Sequence, residues 1–87
     1  MHGGTLVSIA DSLCGYGAIV NLPQDATGFL TIECKTNFLG TQRDGVLYAE
    51  AKPLHTGRRT QVWEAFVADE RTQRTLATFT CTQMVMY

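Results

Sequence analysis

A chain of 87 residues with 45% hydrophobic and 17% charged positions and only two prolines has the composition of one small globular domain, residues 1–87, not of a disordered tail. Its formal net charge of -1 gives no electrostatic pull towards nucleic acid or an anionic membrane, so neither is expected as a partner. Cys14, Cys34 and Cys81 are odd in number and lack a C-x-x-C pair, and no two histidines stand at a metal-ligand spacing, which argues against a disulfide framework or a zinc centre and for a reducing, cytoplasmic setting without metal or cofactor. A domain this short buries only somewhat more than ~60% of the surface its unfolded chain exposes, so association is a natural way to add core.

The first element is a helix over Thr5 to about Val20. Its apolar residues Leu6, Val7, Ile9, Ala10, Leu13, Cys14, Ala18 and Ile19 cover more than half the helical circumference, which predicts burial on most sides. Ser8, Asp11 and Ser12 interrupt the run, which falls short of the ~20 apolar residues of a bilayer span. It also lacks the basic flank and cleavage site of a signal peptide. Asn21-Leu22-Pro23 ends the helix, because proline disfavours helical geometry in the residue before it and cannot continue the ladder.

Phe29 to Leu39 alternates, with Leu30, Ile32, Cys34, Thr36 and Phe38 on one face and Thr31, Glu33, Lys35 and Asn37 on the other, the pattern of a half-buried strand. A turn over Gly40 to Gly45 leads to a second strand, Val46 to His55. Thr56-Gly57-Arg58 turns the chain into a third, Thr60 to Asp69, and Glu70 to Arg74 into a fourth, Thr75 to Met86. Short turns of this kind predict an antiparallel meander for the last three strands. Pro53 cannot donate to a ladder and therefore points to a sheet edge or a bulge. An open edge beside an apolar helix calls for cover, either from a partner chain or from a strand ahead of Met1.

The order of H-G-G at His2-Gly3-Gly4, a helix with I-A-D, a strand ending T-N-F-L, a D-G turn and a hairpin with H-x-G-R resembles the hotdog-fold thioesterases of the phenylacetate-pathway and small acyl-CoA thioesterase type, over essentially the whole chain. The resemblance implies an α+β hotdog fold, in which an antiparallel sheet wraps one long helix. It also implies an acyl-CoA substrate and a homodimer or homotetramer whose sheets join edge to edge. Its most specific part is His2-Gly3-Gly4 with Asp11 nine residues after the histidine. Family members usually carry a further helix and strand before the H-G-G, including an Asn or Gln that touches the thioester; these find no counterpart here, and a natural short form and a fragment both stay open.

Thioester hydrolysis needs a donor for the developing oxyanion and a group that attacks the carbonyl or activates water. Gly3 suits the first role, since N–H groups at a helix start have no intrahelical partner and lie at the positive end of the dipole. Asp11 suits the second, as base or as nucleophile. Eight residues apart on one helix, the two stand ~12 Å from each other along its axis, whereas an oxyanion donor must sit within ~3 Å of its oxygen. A two-fold dimer that pairs Gly3 of one chain with Asp11 of the other resolves the conflict.

The resemblance adds Thr31 as a hydroxyl holding water or substrate and His2 as an orienting residue. Gly4 joins Gly3 at the substrate, and Arg58 and Arg59 face the phosphates of coenzyme A, for which guanidinium forks are suited. Each has a plainer reading: strand propensity for Thr31, packing for His2, a helix-entry turn for the glycines, solubilising charge for the arginines. Ser12 turns ~100° away from Asp11 and without a histidine is no triad serine. Cys14 is expected in the core, and Tyr16, Phe29, Phe38, Trp63, Phe66 and Phe79 in the core or lining an acyl pocket. The function expected is thioester hydrolysis. A non-catalytic hotdog module that binds acyl-CoA or only assembles is the alternative, and a hydratase or dehydratase on the same fold a more distant one.

Overall fold

The computed structural model describes residues 3–40 and 45–87. His2 and residues 41–44 of the expected turn lie outside the described residues. Helix α1 (Gly3–Val20) is followed by β1 (Gly28–Phe38), β2 (Leu47–Thr56), β3 (Thr60–Asp69) and β4 (Thr75–Met86). The strands form one antiparallel sheet in the order β1-β4-β3-β2. The last three are the meander expected from their short turns, β1 and β2 are the edges, and the helix lies across one face, a hotdog arrangement.

The helix docks through Leu6, Ala10, Cys14 and Ala18, all buried, which fall at every fourth position and so form one stripe. Three of the four are small, and the helix therefore approaches the sheet closely. At Gly17 the approach is closest: a Cβ there would lie 2.6 Å from the Trp63 ring. Opposite the stripe, Trp63, Ala65, Val67, Phe79 and Cys81 point inward from β3 and β4. Asn21 closes the helix, its side-chain amide donating to the Gly17 carbonyl at 2.9 Å.

Burial of α1 on most sides does not hold. Tyr16, Ile19 and Val20 are 70%, 58% and 63% exposed, because a helix lying on one side of a single sheet can bury only the stripe that faces it. By length and a mean hydropathy of 1.2 over its 18 residues, α1 is apolar enough to cross a bilayer; here its stripe packs on the sheet instead.

The alternation expected for β1 is also corrected. The register between β1 and β4 shifts between Thr31 and Glu33, so an extra residue at Ile32 swaps the faces partway along the strand. Phe29 and Thr31 oppose the inward residues Val85 and Gln83, and beyond the bulge Cys34, Thr36 and Phe38 oppose the inward Cys81, Phe79 and Ala77. Leu30 and Ile32 are thereby left 54% and 55% exposed. Pro53 sits on the edge strand β2 with a register shift between it and His55, as a residue without an N–H requires. Phe66 joins neither the core nor a pocket beside the helix. It alternates with the inward Ala65 and Val67, lies on the sheet's other face and meets Tyr48 edge to face at 5.8 Å.

Candidate active site

A groove of about 390 Å³ runs along the flank of α1 next to its buried stripe. Asp11, Ser12, Gly15, Tyr16 and Ile19 line it from the helix, Phe29 and Thr31 from β1, and Gln83 from β4. The helical spacing of the first five places them on one side of α1. The bulge at Ile32 matters here, because on its N-terminal side it turns Thr31 towards the helix and onto the same face as Gln83. Asp11 is exposed in the groove, and Ser12 shares it despite the turn between the two. His55 is on β2 and is not among the residues that line this groove, so no described histidine partners Ser12.

Gln83 is fully buried. The Thr31 hydroxyl donates to its Oε1 at 2.6 Å, and its Nε2 donates to the Cys81 sulfur at 3.3 Å. Directly across the sheet is a second buried glutamine, Gln61. It accepts from Trp63 Nε1 at 2.7 Å and donates to the Asn21 carbonyl at 3.1 Å, so the end of α1 is tied to the inner face of β3. Burying an amide is tolerated only when it is hydrogen-bonded, and both are. Neither glutamine was singled out by motif or resemblance. The available signal was parity: in Cys81-Thr82-Gln83-Met84-Val85, the glutamine takes the inward position between Cys81 and Val85, where an apolar residue is due.

Gly3 begins α1 eight residues before Asp11 and is not part of the groove. A Cβ on it would lie 3.2 Å from the Phe38 ring, so its backbone is packed against β1 with little room for a side chain. Gly4 beside it is exposed. Arg58 and Arg59 line a separate groove with Met84, Val85 and Tyr87. Phe29 of the first groove and Val85 of the second are register partners on β1 and β4. Arg58 is engaged by Asp25 at 3.2 Å and lies 5.3 Å from the centre of the Tyr87 ring. The chain thus brings Asp11 and Thr31 together and leaves Gly3 and the arginines apart from them.

Comparison with known proteins agrees with this fold. The chain is 34% identical over 82 residues to a 1,4-dihydroxy-2-naphthoyl-CoA hydrolase of Listeria monocytogenes, covering 94% of this chain and 65% of that protein. Among solved structures, protein Rv1847/MT1895 of Mycobacterium tuberculosis superposes with a TM-score of 0.91 at 27% identity, covering 99% of this chain and 68% of that one. A thioesterase family protein of Silicibacter pomeroyi gives 0.83 at 31% identity, covering 99% and 64%. The chain spans roughly half to two thirds of the length of the curated relatives it matches. The profile of the thioesterase superfamily matches residues 1–81, and on that match, over a fold of one helix on a four-stranded antiparallel sheet, the chain belongs to the thioesterase superfamily.

Proposed function

We propose that this protein hydrolyses acyl-CoA or aryl-CoA thioesters to the free acid and coenzyme A, in a homodimer whose sites are shared between subunits. The observation that carries the reading is the groove that Asp11 and Thr31 line together, with Asp11 on a helix that begins at Gly3, eight residues before it. The Listeria relative, named for hydrolysis of an aromatic CoA thioester, supports the substrate class.

With Asp11 as base, its carboxylate takes a proton from water as the water oxygen bonds to the thioester carbon. The carbonyl π electrons move to oxygen, where the Gly3 N–H of the other subunit meets them. Collapse of this intermediate breaks the C–S bond, and the departing sulfur receives the proton held by Asp11. With Asp11 as nucleophile, its oxygen bonds to the carbonyl carbon, the thiolate leaves, and water then cleaves the mixed anhydride. Tyr16, Ile19 and Phe29 supply the apolar wall for the acyl group. Gly4 keeps the approach to the Gly3 amide clear. His2 is assigned an orienting role at the same entry. Arg58 and Arg59 flank the neighbouring groove where the phosphates of coenzyme A extend. Because Asp25 already engages Arg58, Arg59 carries more of that contact.

Release of free thiol from a panel of acyl- and aryl-CoA substrates tests the reading. Wild type is expected to turn over at least one of them, and Asp11→Asn to lose about 100-fold or more in kcat. Equal rates for the two proteins remove Asp11 from the mechanism. Saturable binding of coenzyme A with no thiol release identifies the non-catalytic module instead.

A further inference from the structure

We infer that Gln83 is a positioning residue that makes Thr31 an obligate hydrogen-bond acceptor towards the groove, so that Thr31 orients the attacking water; the inference rests on the hydrolase reading above. A threonine hydroxyl has one proton and two lone pairs, and free to rotate it serves equally as donor or acceptor. Here the proton is committed, since Thr31 Oγ1 donates to Gln83 Oε1 at 2.6 Å. What remains on the Thr31 oxygen is acceptor capacity, and Thr31 lies in the groove that holds Asp11.

The Gln83 amide is held at both ends: its oxygen accepts from Thr31 and its Nε2 donates to the Cys81 sulfur at 3.3 Å. Cys81 is fully buried in the same core cluster as Cys14 of α1. Thr31 and Gln83 are register partners on β1 and β4, so sheet pairing holds the two in place. Gln83 borders the groove but is fully buried, so its effect reaches the groove through Thr31. A water between Asp11 and Thr31 then gives one proton to each acceptor and keeps a lone pair for the carbonyl carbon. A hydroxyl that donated to the water would instead occupy one of its two lone pairs and draw electron density from the attacking oxygen.

Gln83→Met preserves length and apolar packing while removing both hydrogen bonds. It is expected to lower kcat about tenfold with KM changed less than about twofold, the mark of an interaction made in the transition state. Thr31→Val, an isosteric change on the exposed side, is expected to do the same, and Thr31→Ser to retain activity near wild type. The deciding measurement is the double variant: if Gln83 acts only through Thr31, Gln83→Met adds nothing further in the Thr31→Val background. Additive losses, an unchanged kcat in Gln83→Met, or a Thr31→Ser variant as slow as Thr31→Val would each overturn the role while leaving the hydrolase reading intact. Should Gln83→Met not fold, Cys81→Ala, which removes the acceptor of the Gln83 Nε2, takes its place in the same double-variant test against Thr31→Val. A wild type that releases no thiol from any substrate overturns both.

Discussion

Two glycines on the same helix separate by what their missing side chains would meet. Alanine is the better helix former by about 1 kcal/mol at an interior position. At Gly15 the added methyl would stand 3.6 Å from Phe29, an ordinary contact, so Gly15→Ala is expected to stabilise the fold by about 0.5–1 kcal/mol. At Gly17 it would be driven to 2.6 Å from Trp63, a ring held by its hydrogen bond to Gln61. Overpacking of this kind costs about 1–3 kcal/mol, which outweighs the propensity gain, so Gly17→Ala should lower Tm by about 4–8 °C for each net kcal/mol lost. Thermal melts of the pair check the opposite signs, and a Gly17→Ala protein as stable as wild type would refute the close helix approach. The cysteines divide in the same way. Cys14 and Cys81 are buried and Cys34 is exposed. A hydrogen bond to Cys81, together with burial, pushes the Cys14 thiol far above its usual range. Since the thiolate is the reacting form, a disulfide reagent should modify one thiol quickly in the folded protein and all three after denaturation. Rapid reaction of more than one in the native state would contradict the packing of α1 on β4.

At the scale of elements, the two sheet edges are managed differently. The β1 edge carries Leu30, Ile32 and Phe38, each more than half exposed, with Tyr16 and Ile19 on the neighbouring helix flank; β2 carries Leu54, Pro53 and a bulge. Both edge strands carry a bulge, but only β2 carries a proline, which blunts an edge against further pairing, so β2 is the guarded edge and β1 the one proposed to meet a second copy. Pro53→Thr restores an N–H and a strand-forming side chain without removing any ladder bond. It is expected to leave the melting temperature nearly unchanged while light scattering reports association beyond that of wild type. Scattering identical to wild type would mean that Pro53 has no guarding role. Pro53 was legible in the sequence because a missing donor is a local property. The limits of β3 and β4 were legible too, since strict alternation between marked turns leaves little freedom. The face of β1 was not, because one bulged residue inverts the parity of everything after it, and only pairing with β4 reveals the insertion. For the candidate site, Asp11 and Thr31 could be named from motif and resemblance. Gln83 could not, because its importance comes from a partner 52 positions away in the chain.

The whole molecule exposes more surface than a self-sufficient domain of its mass. Its 5574 Å² compares with ~5,100 Å² for a compact monomer of 9.6 kDa. Its radius of gyration of 13.7 Å compares with ~12 Å for 87 compact residues. One helix on one side of a sheet, in a molecule 43 Å long, accounts for both, and the surplus includes the apolar β1 edge and helix flank. A second copy on that edge would cover it. The proposed dimer also makes a demand that no single chain can meet, since Gly3 and Asp11 stand on one helix too far apart to serve one carbonyl. Two inactive variants should therefore rescue each other. Gly3→Pro removes the amide donor at the first helical position, where the backbone tolerates proline once the exposed Phe38 ring shifts from the added Cβ, and leaves Asp11 intact; Asp11→Asn does the reverse. In a heterodimer of the two, one site combines the unaltered Gly3 of one protomer with the unaltered Asp11 of its partner, and the other site is doubly defective. Unfolding and refolding an equal mixture should yield half heterodimers with one working site each, hence about a quarter of the wild-type rate from two proteins that are each inactive. A site built within one protomer would leave the mixture as inactive as its components, so the rate of the refolded mixture decides between a shared site and a private one.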